Sequence, residues 1–290
     1  MMWVLAVVIC VAVIVVFGYA YGSRHFVVKE QTLWFDDLPD AFDGYRILQF
    51  SDFHAGAFHM GHDDDVEKIV EMINAQGCDM VCFTGDLVTR SAKELERFEQ
   101  ALSQIQAPDG VYSIMGNHDY AMYNHGWSVG RRKNDIQELQ RKERAFGWNL
   151  LLNEHQKVYR DGDSIAVIGI ENDGTPPHFP QFGDLEKASE GLADGEFKIL
   201  LSHDPTSWQR HVLTQSDVQL TLSGHTHAGQ FKMFGWSVVA NVYDEWSGAY
   251  EMDGQQLFVS EGVGCVPFPY RIGAWPEVNV ITLKRLEIRD

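Results

Sequence analysis

Five short apolar runs in this chain each break off at an Asp, Asn or His. Residues 46–50 are followed by Asp52 and His54, and 80–84 by Gly85 and Asp86. Residues 111–115 lead into Gly116-Asn117-His118-Asp119, 197–201 into His203, and 219–222 into Gly224-His225-Thr226-His227. Such runs read as buried strands. Amphipathic helices lie between them. Val66, Ile69, Val70 and Ile73 share one helical face, as do Leu95, Phe98, Leu102 and Ile105, and a third helix is expected over 135–146. Alternating strands and helices call for an α/β domain with helices covering a sheet. A further strand is expected over 165–170, and runs near 257–260 and 278–283 make the tail strand-rich, which points to a second, mixed sheet. Open α/β sheets bind ligands beyond the carboxyl ends of their strands. The polar residues at these ends are therefore expected to meet in one crevice.

Their chemistry is that of metal ligands. Carboxylate, imidazole and amide without thiolate suit Mn, Fe or Zn better than Ca. Seven such groups exceed the four that one zinc ion usually takes. They suit two divalent ions sharing one carboxylate.

In their order along the chain, Asp52-Phe53-His54, Gly85-Asp86, Gly116-Asn117-His118-Asp119, the lone His203 and Gly224-His225-Thr226-His227 resemble the calcineurin-like metallophosphoesterase family, over roughly 45–230. The resemblance implies a four-layer α/β/β/α sandwich with two mixed sheets. It also implies that Asp52, His54 and His227 hold one metal, Asn117, His203 and His225 the other, and that Asp86 bridges them. Two cations about 3.5–4 Å apart would hold a bridging hydroxide for in-line attack on a phosphoester. His118, next to Asn117 in the chain and so pointing away from it, is expected to protonate the leaving oxygen, with Asp119 orienting its ring. The longer stretch 224–230, Ser247-Gly248-Ala249-Tyr250, residues 257–264 and Pro276-Glu277-Val278 resemble a bacterial branch that is often membrane-associated. That branch includes phosphodiesterases and is similar to the UDP-diacylglucosamine hydrolases of lipid A synthesis. It often carries Arg where Glu261 stands, so Glu261 bears on substrate choice.

Residues 1–21 contain no charged side chain, and Arg24 ends the apolar run. At about 1.5 Å per residue this run just crosses a hydrocarbon core of about 30 Å. A single-pass anchor over 1–22 is expected, with Tyr19 and Tyr21 at an interface, followed by a catalytic domain over 33–290. A cleaved signal peptide ending near Gly18-Tyr19-Ala20, which would make the protein exported, and a buried core helix are the alternatives. Arg24 and Lys29 follow the run and no basic residue precedes it, which favours a cytosolic domain.

The formal net charge of −18 argues against a general nucleic-acid surface, but not against an anionic substrate, because bound cations can dominate a local field. Cys10, Cys78, Cys82 and Cys265 make neither a disulfide framework nor a zinc knuckle. Asp63, Asp64 and Asp65 read as helix capping. His25, His59, His62, His155 and His211 read as solvated, while His125 and His178 sit in loops that could rim the crevice. Asp204 reads as a turn residue before Pro205, and Trp236, Trp246 and Trp275 as packing. Arg131, Arg132 and Lys133 read as a solvated face. The expected activity is that of a phosphodiesterase or pyrophosphatase at a membrane, on a lipid-linked phosphate. A phosphomonoesterase and a metal-bearing scaffold are the alternatives.

Overall fold

The computed structural model describes residues 2–59, 61–175 and 179–286. Among these, the strands are β1 (Val27–Phe35), β2 (Arg46–Phe50), β3 (Met80–Phe83), β4 (Val111–Ser113), β5 (Asn149–Leu150), β6 (Glu154–Arg160), β7 (Asp163–Gly169), β8 (Lys198–Leu201), β9 (Leu220–Ser223), β10 (Gly248–Met252), β11 (Gln255–Val259) and β12 (Glu277–Arg285). They form two mixed six-stranded sheets, ordered β1-β12-β2-β3-β4-β5 and β10-β11-β9-β8-β7-β6. In the first sheet β2 to β5 run parallel, and β12 runs antiparallel to β2. In the second, β7, β8, β9 and β11 are parallel, with β6 and β10 antiparallel at the edges.

Alternation within the strands stacks the layers, because successive side chains leave opposite faces of a sheet. Leu48, Phe50, Val81 and Phe83 face outward and pack on Val66, Ile69 and Ile73 of the Asp65–Ala75 helix and on Leu139 of the Val129–Ala145 helix. Their neighbours Ile47, Met80 and Cys82 face the second sheet and meet Val167, Ile199, Leu201 and Leu222. On the far side, Ile168, Leu200, Leu257 and Val259 pack under Ala188, Trp208 and Val212. Three apolar interfaces thus separate four layers, helix, sheet, sheet and helix, as expected.

Several boundaries differ from the sequence reading. The stretch holding Leu95, Phe98, Leu102 and Ile105 is a 3₁₀ turn, Ala92–Leu95, and a short helix, Glu99–Leu102, although all four side chains share one buried cluster. The helix expected over 135–146 begins at Val129, where the Ser128 hydroxyl accepts the Arg131 amide. A domain starting at residue 33 would cut β1, whose first residues already pair with β12 from Val27↔Glu277 onward.

The N-terminal helix, Met2–Ala20, stands outside the core. Every side chain from Trp3 to Phe17 is exposed, which excludes the buried-helix alternative. Its end is tied to the domain. Arg24 donates to Asp65 at 2.7 Å, and Lys68 does the same. Asp65 is therefore an ion-pair partner and not a cap; Asp64 occupies the N-cap position without a side-chain hydrogen bond. His62, expected in solvent, is buried beside Asp65 with its ring edge-on to Tyr19. Both basic residues of the orientation argument are engaged, because Lys29 lies between the Glu261 and Glu277 carboxylates.

Candidate metal centre

The two sheets present their carboxyl ends side by side. The loops after β2, β3 and β4 supply Asp52, His54, Asp86 and Asn117, and those after β8 and β9 supply His203, His225 and His227. The structure brings all seven together. His54 Nε2 lies 3.1 Å from His227 Nε2, and His227 Nε2 lies 3.2 Å from Asp52 Oδ1. In a second group, Asn117 Oδ1 lies 3.1 Å from His203 Nε2 and 2.8 Å from His225 Nδ1. Asp86 stands between the two groups. Its Oδ2 is 3.5 Å from His54 Nε2 and 3.3 Å from His203 Nε2.

The backbone is bent to make this arrangement. Asp52, His54, Asp86, His225 and His227 all have φ between +48° and +73°. Non-glycine residues seldom adopt that conformation, and clusters of it mark functional sites. Gly224 allows a close approach. A Cβ there would stand 2.0 Å from Ser51 Oγ and 2.3 Å from Asp52 Oδ2. Gly224→Ala is expected to displace Asp52 and weaken metal retention about 10–100-fold, measured by competition with a chelator; unchanged retention would separate Asp52 from the metal.

The electrostatics fit cations. Asp52, Asp86, Asp119 and Asp204 are all buried, and burying carboxylates without compensation is costly. Burial, opposed by His203, pushes Asp52 up to about 6. Burial also works against the charge on Asp86, yet His203 and His118 hold its carboxyl well below the usual range. Burial lowers the imidazoles of His54, His225 and His227, leaving them neutral with lone pairs to offer. For His203 burial acts in the same direction, but Asp86 overrides it and raises the ring to about 10. Lone-pair donors facing one another at about 3 Å around a shared carboxylate are a donor set for divalent ions. Among the described residues, three groups are near enough to hold an ion: Asp52, His54 and His227; Asp86, His203 and His225; and His54, Asp86 and His118.

Asp119 does not touch the His118 ring, contrary to expectation. Its carboxylate accepts the backbone N–H groups of Asp86, Gly116 and Val88, at 2.8, 2.9 and 3.1 Å, and so braces the loops that carry Asp86 and Asn117. Burial and the nearby Asp86 push it up to about 8. The group that meets His118 is the Thr89 carbonyl, 2.7 Å from Nδ1. Asp204 makes its turn by accepting the Thr206 amide and hydroxyl, and its other oxygen lies 3.6 Å from His225 Nε2.

Sequence reasoning missed the supporting residues. Arg271 is fully buried, donates to the Gly264 and Ala274 carbonyls, and places Nη2 3.1 Å from His227 Nδ1. The Tyr123 hydroxyl accepts from Asn117 Nδ2, and the Tyr243 hydroxyl lies 2.8 Å from His225 Nε2. Phe179 sits edge-on to His225. An isolated Tyr or Arg in a loop carries no periodic signal. Glu261, expected to bear on substrate choice, is buried and bonded to Lys232, Lys29 and Ser247. Of the other residues read as crevice rim or solvated face, His125 and Lys133 are exposed and Arg131 stacks on Trp127, while His178 lies outside the described residues. His25 stacks on Tyr21, His155 reaches the Ala188 carbonyl and His211 meets Asp173, so none of these three is simply solvated.

The sequence model of the calcineurin-like phosphoesterases matches residues 45–229. A Danio rerio protein described as a transmembrane protein with metallophosphoesterase domain is 31% identical over 97% of this chain and 62% of its own length. The Bacillus subtilis metallophosphoesterase YkuE is 30% identical over 92% of this chain and 90% of its own. An Aquifex aeolicus metallophosphoesterase is 26% identical over 92% of this chain and 95% of its own. The chain thus spans about three-fifths of the Danio rerio relative and nearly the whole of the two bacterial ones. With a family match across most of its length and relatives of the same description, the chain belongs to the calcineurin-like phosphoesterases, metal-dependent hydrolases of phosphoric esters.

Proposed function

We propose that this protein hydrolyses a phosphodiester or pyrophosphate bond with two divalent ions, at the surface of a membrane that its N-terminal helix spans. The single observation that carries the dinuclear reading is the position of Asp86 Oδ2, within 3.5 Å of a donor from each of two separate groups. Asp52, His54 and His227 would complete one site with Asp86, and Asn117, His203 and His225 the other. When bound, two such ions supply acidified water for in-line attack and neutralise charge on the phosphoryl oxygens. The chain's own groups orient and protonate. Tyr123 and Tyr243 fix the Asn117 amide and the His225 ring. His118, half-buried with Nδ1 on the Thr89 carbonyl, keeps Nε2 free to protonate a leaving oxygen.

The exposed apolar helix and the Danio rerio relative's description support a membrane reading. We take 1–22 as the anchor and the rest as a cytosolic catalytic domain that begins with β1. The lipid-linked substrate class follows from a site held beside lipid, UDP-diacylglucosamine being one such substrate. The test uses the full chain in detergent with Mn²⁺ added, assayed on bis(p-nitrophenyl) phosphate and on p-nitrophenyl phosphate. Faster diester turnover is expected. Turnover of the monoester alone would make the protein a phosphomonoesterase. A metal-loaded chain inert on both and on pyrophosphates would make it a scaffold.

A further inference from the structure

We infer that the loop over 231–242, together with Phe268, inserts into the lipid interface and sets the mouth of the metal crevice against the bilayer. This inference rests on the reading of Met2–Ala20 as a membrane span.

The loop is apolar on its outside. Met233, Phe234, Trp236, Val238 and Val242 are each at least half exposed, as is Phe268. No charged side chain occurs from Met233 to Val242, and the flanking Lys232 is engaged by Glu261. A contiguous apolar patch of this kind on a folded surface marks an interaction site. The tip is unusual in a second way. Met233 and Trp236 exchange two backbone hydrogen bonds, at 2.9 and 3.1 Å, around a two-residue turn of Phe234 and Gly235, with φ of +54° and +78°. Asn-Gly is the ordinary choice for such a turn. A bulky aromatic with positive φ is disfavoured, and this ring is 98% exposed. In water Phe234 is both strained and hydrated, and so little of it is buried that packing offsets neither. Against acyl chains the same ring gains an apolar environment.

The occupant is identified by where the loop is attached. Lys232 N–H donates to the Ile272 carbonyl at 2.7 Å, and Ile272 N–H to the Gln230 carbonyl at 3.0 Å. One residue earlier, Arg271 N–H donates to the carbonyl of Gly18, in the last turn of the N-terminal helix. The Tyr270 ring lies against Gly18 so closely that a Cβ there would be 2.3 Å from it. Trp275 stands edge-on to Phe17 and Tyr21. The segment over 268–275 therefore joins the base of the apolar loop to the end of the apolar helix. If that helix crosses a membrane, its end marks the interface, and Phe and Trp at the loop tip suit that depth. The metal centre is attached to the same segment, since Arg271 reaches His227 and Tyr243, just past the loop, reaches His225. A phosphoester at headgroup depth would then enter the crevice without its lipid tail leaving the bilayer. The substrate class that fits is an amphipathic lipid phosphoester, presented from the membrane plane.

The test places spin labels on the full chain in vesicles of phosphatidylethanolamine and phosphatidylglycerol. Native Cys10 lies exposed on the N-terminal helix, and the other cysteines are buried. Cys10 itself reports whether that helix is in lipid. In a Cys10→Ser background, Phe234→Cys and Val242→Cys place labels on the loop, and Val129→Cys places one at the exposed start of a separate helix. The second loop position keeps the test valid if the strained turn does not accept Cys. Collision rates with oxygen and with a water-soluble nickel chelate are then measured. Labels at 234 and 242 are expected to match Cys10, with oxygen access gained and nickel access lost, while 129 stays open to nickel. Loop labels that behave like 129 while Cys10 is shielded would overturn the insertion and leave the span intact. Nickel access at Cys10 would overturn the span, and the insertion with it. Loop labels shielded from both reagents would mean that protein covers the loop, a second copy or another chain, and would overturn the lipid assignment.

Discussion

Asp86→Asn is expected, on the two-ion reading proposed above, to lower the rate by about 10³-fold or more and to reduce bound metal to one ion per chain or fewer, because a bridging ligand would contribute to both sites and metal charge supplies several kcal/mol at the transition state. The geometry makes the substitution informative. Asp86 Oδ1 accepts the His118 amide at 2.8 Å, which the amide oxygen of Asn can still do. The loop after β3 therefore keeps its main tie, and only Oδ2, the atom facing His54 and His203, changes from a charged acceptor to a neutral donor. Burial disfavours the Asp86 charge, but His203 and His118 more than reverse that, so the native side chain is ionised across the range in which the protein would be assayed. Removing this anion also removes the largest of the influences that raise His203 to about 10 against its burial, leaving Asp52 and the Thr84 carbonyl. Metal analysis, a melting curve and the diester assay on one preparation give the answer together. Two ions per chain and an intact rate would end the bridging assignment. An unfolded variant would show a lost melting transition, and Asp86→Glu, which keeps the anion, would then be compared for metal content.

How much of this was legible in the sequence depended on burial. β2, β3, β8 and β9 are buried along nearly their whole length, so their runs stay largely apolar even where Gln49 and Thr221 interrupt them, and the candidate ligands stand out at the ends. β6 reads Glu-His-Gln-Lys-Val-Tyr-Arg with only Val158 buried, and β1 is partly exposed along most of its length. Both are edge strands, where one side is free of partners and polar residues are favoured; neither has the apolar pattern that marks a buried strand. The apolar spacing from Leu95 to Ile105 reported which side chains are buried but not that the helix is broken, because burial and helix continuity are separate properties. In the site, each ligand type sits next to a strand end, and the order of the motifs was visible. The left-handed backbone at Asp52, His54, Asp86, His225 and His227 was not, since Asp and His carry no local marker for it. The role assumed for Asp119 failed for a related reason. Adjacency to His118 suggested a side-chain contact, whereas the carboxylate turns inward to three backbone amides.

His118→Ala is expected to keep the fold and the metal content of the native chain while losing about 10²–10⁴ in rate on substrates with a poor leaving group. The His118 ring stacks on Tyr123 at 4.2 Å and stands edge-on to His54 at 4.7 Å, so its plane is held from two sides. Its Nδ1 is 2.7 Å from the Thr89 carbonyl, which can only accept, so Nδ1 carries a proton in both charge states of the ring. That leaves Nε2 as the nitrogen that can give a proton to an alkoxide and regain one from water. A nitrophenolate leaves without protonation, whereas an alkyl alcohol does not. The variant should therefore lose far more on an alkyl diester than on the nitrophenyl diester, and that gap is what a structural role would not produce. The competing reading is that His118 is itself a ligand, since its ring, His54 and Asp86 lie close enough to share an ion. In that case His118→Ala would lose metal and would slow both diesters alike. Equal loss on the two leaving groups with metal depleted would therefore move His118 from proton donor to ligand, and an unchanged rate would remove it from the mechanism.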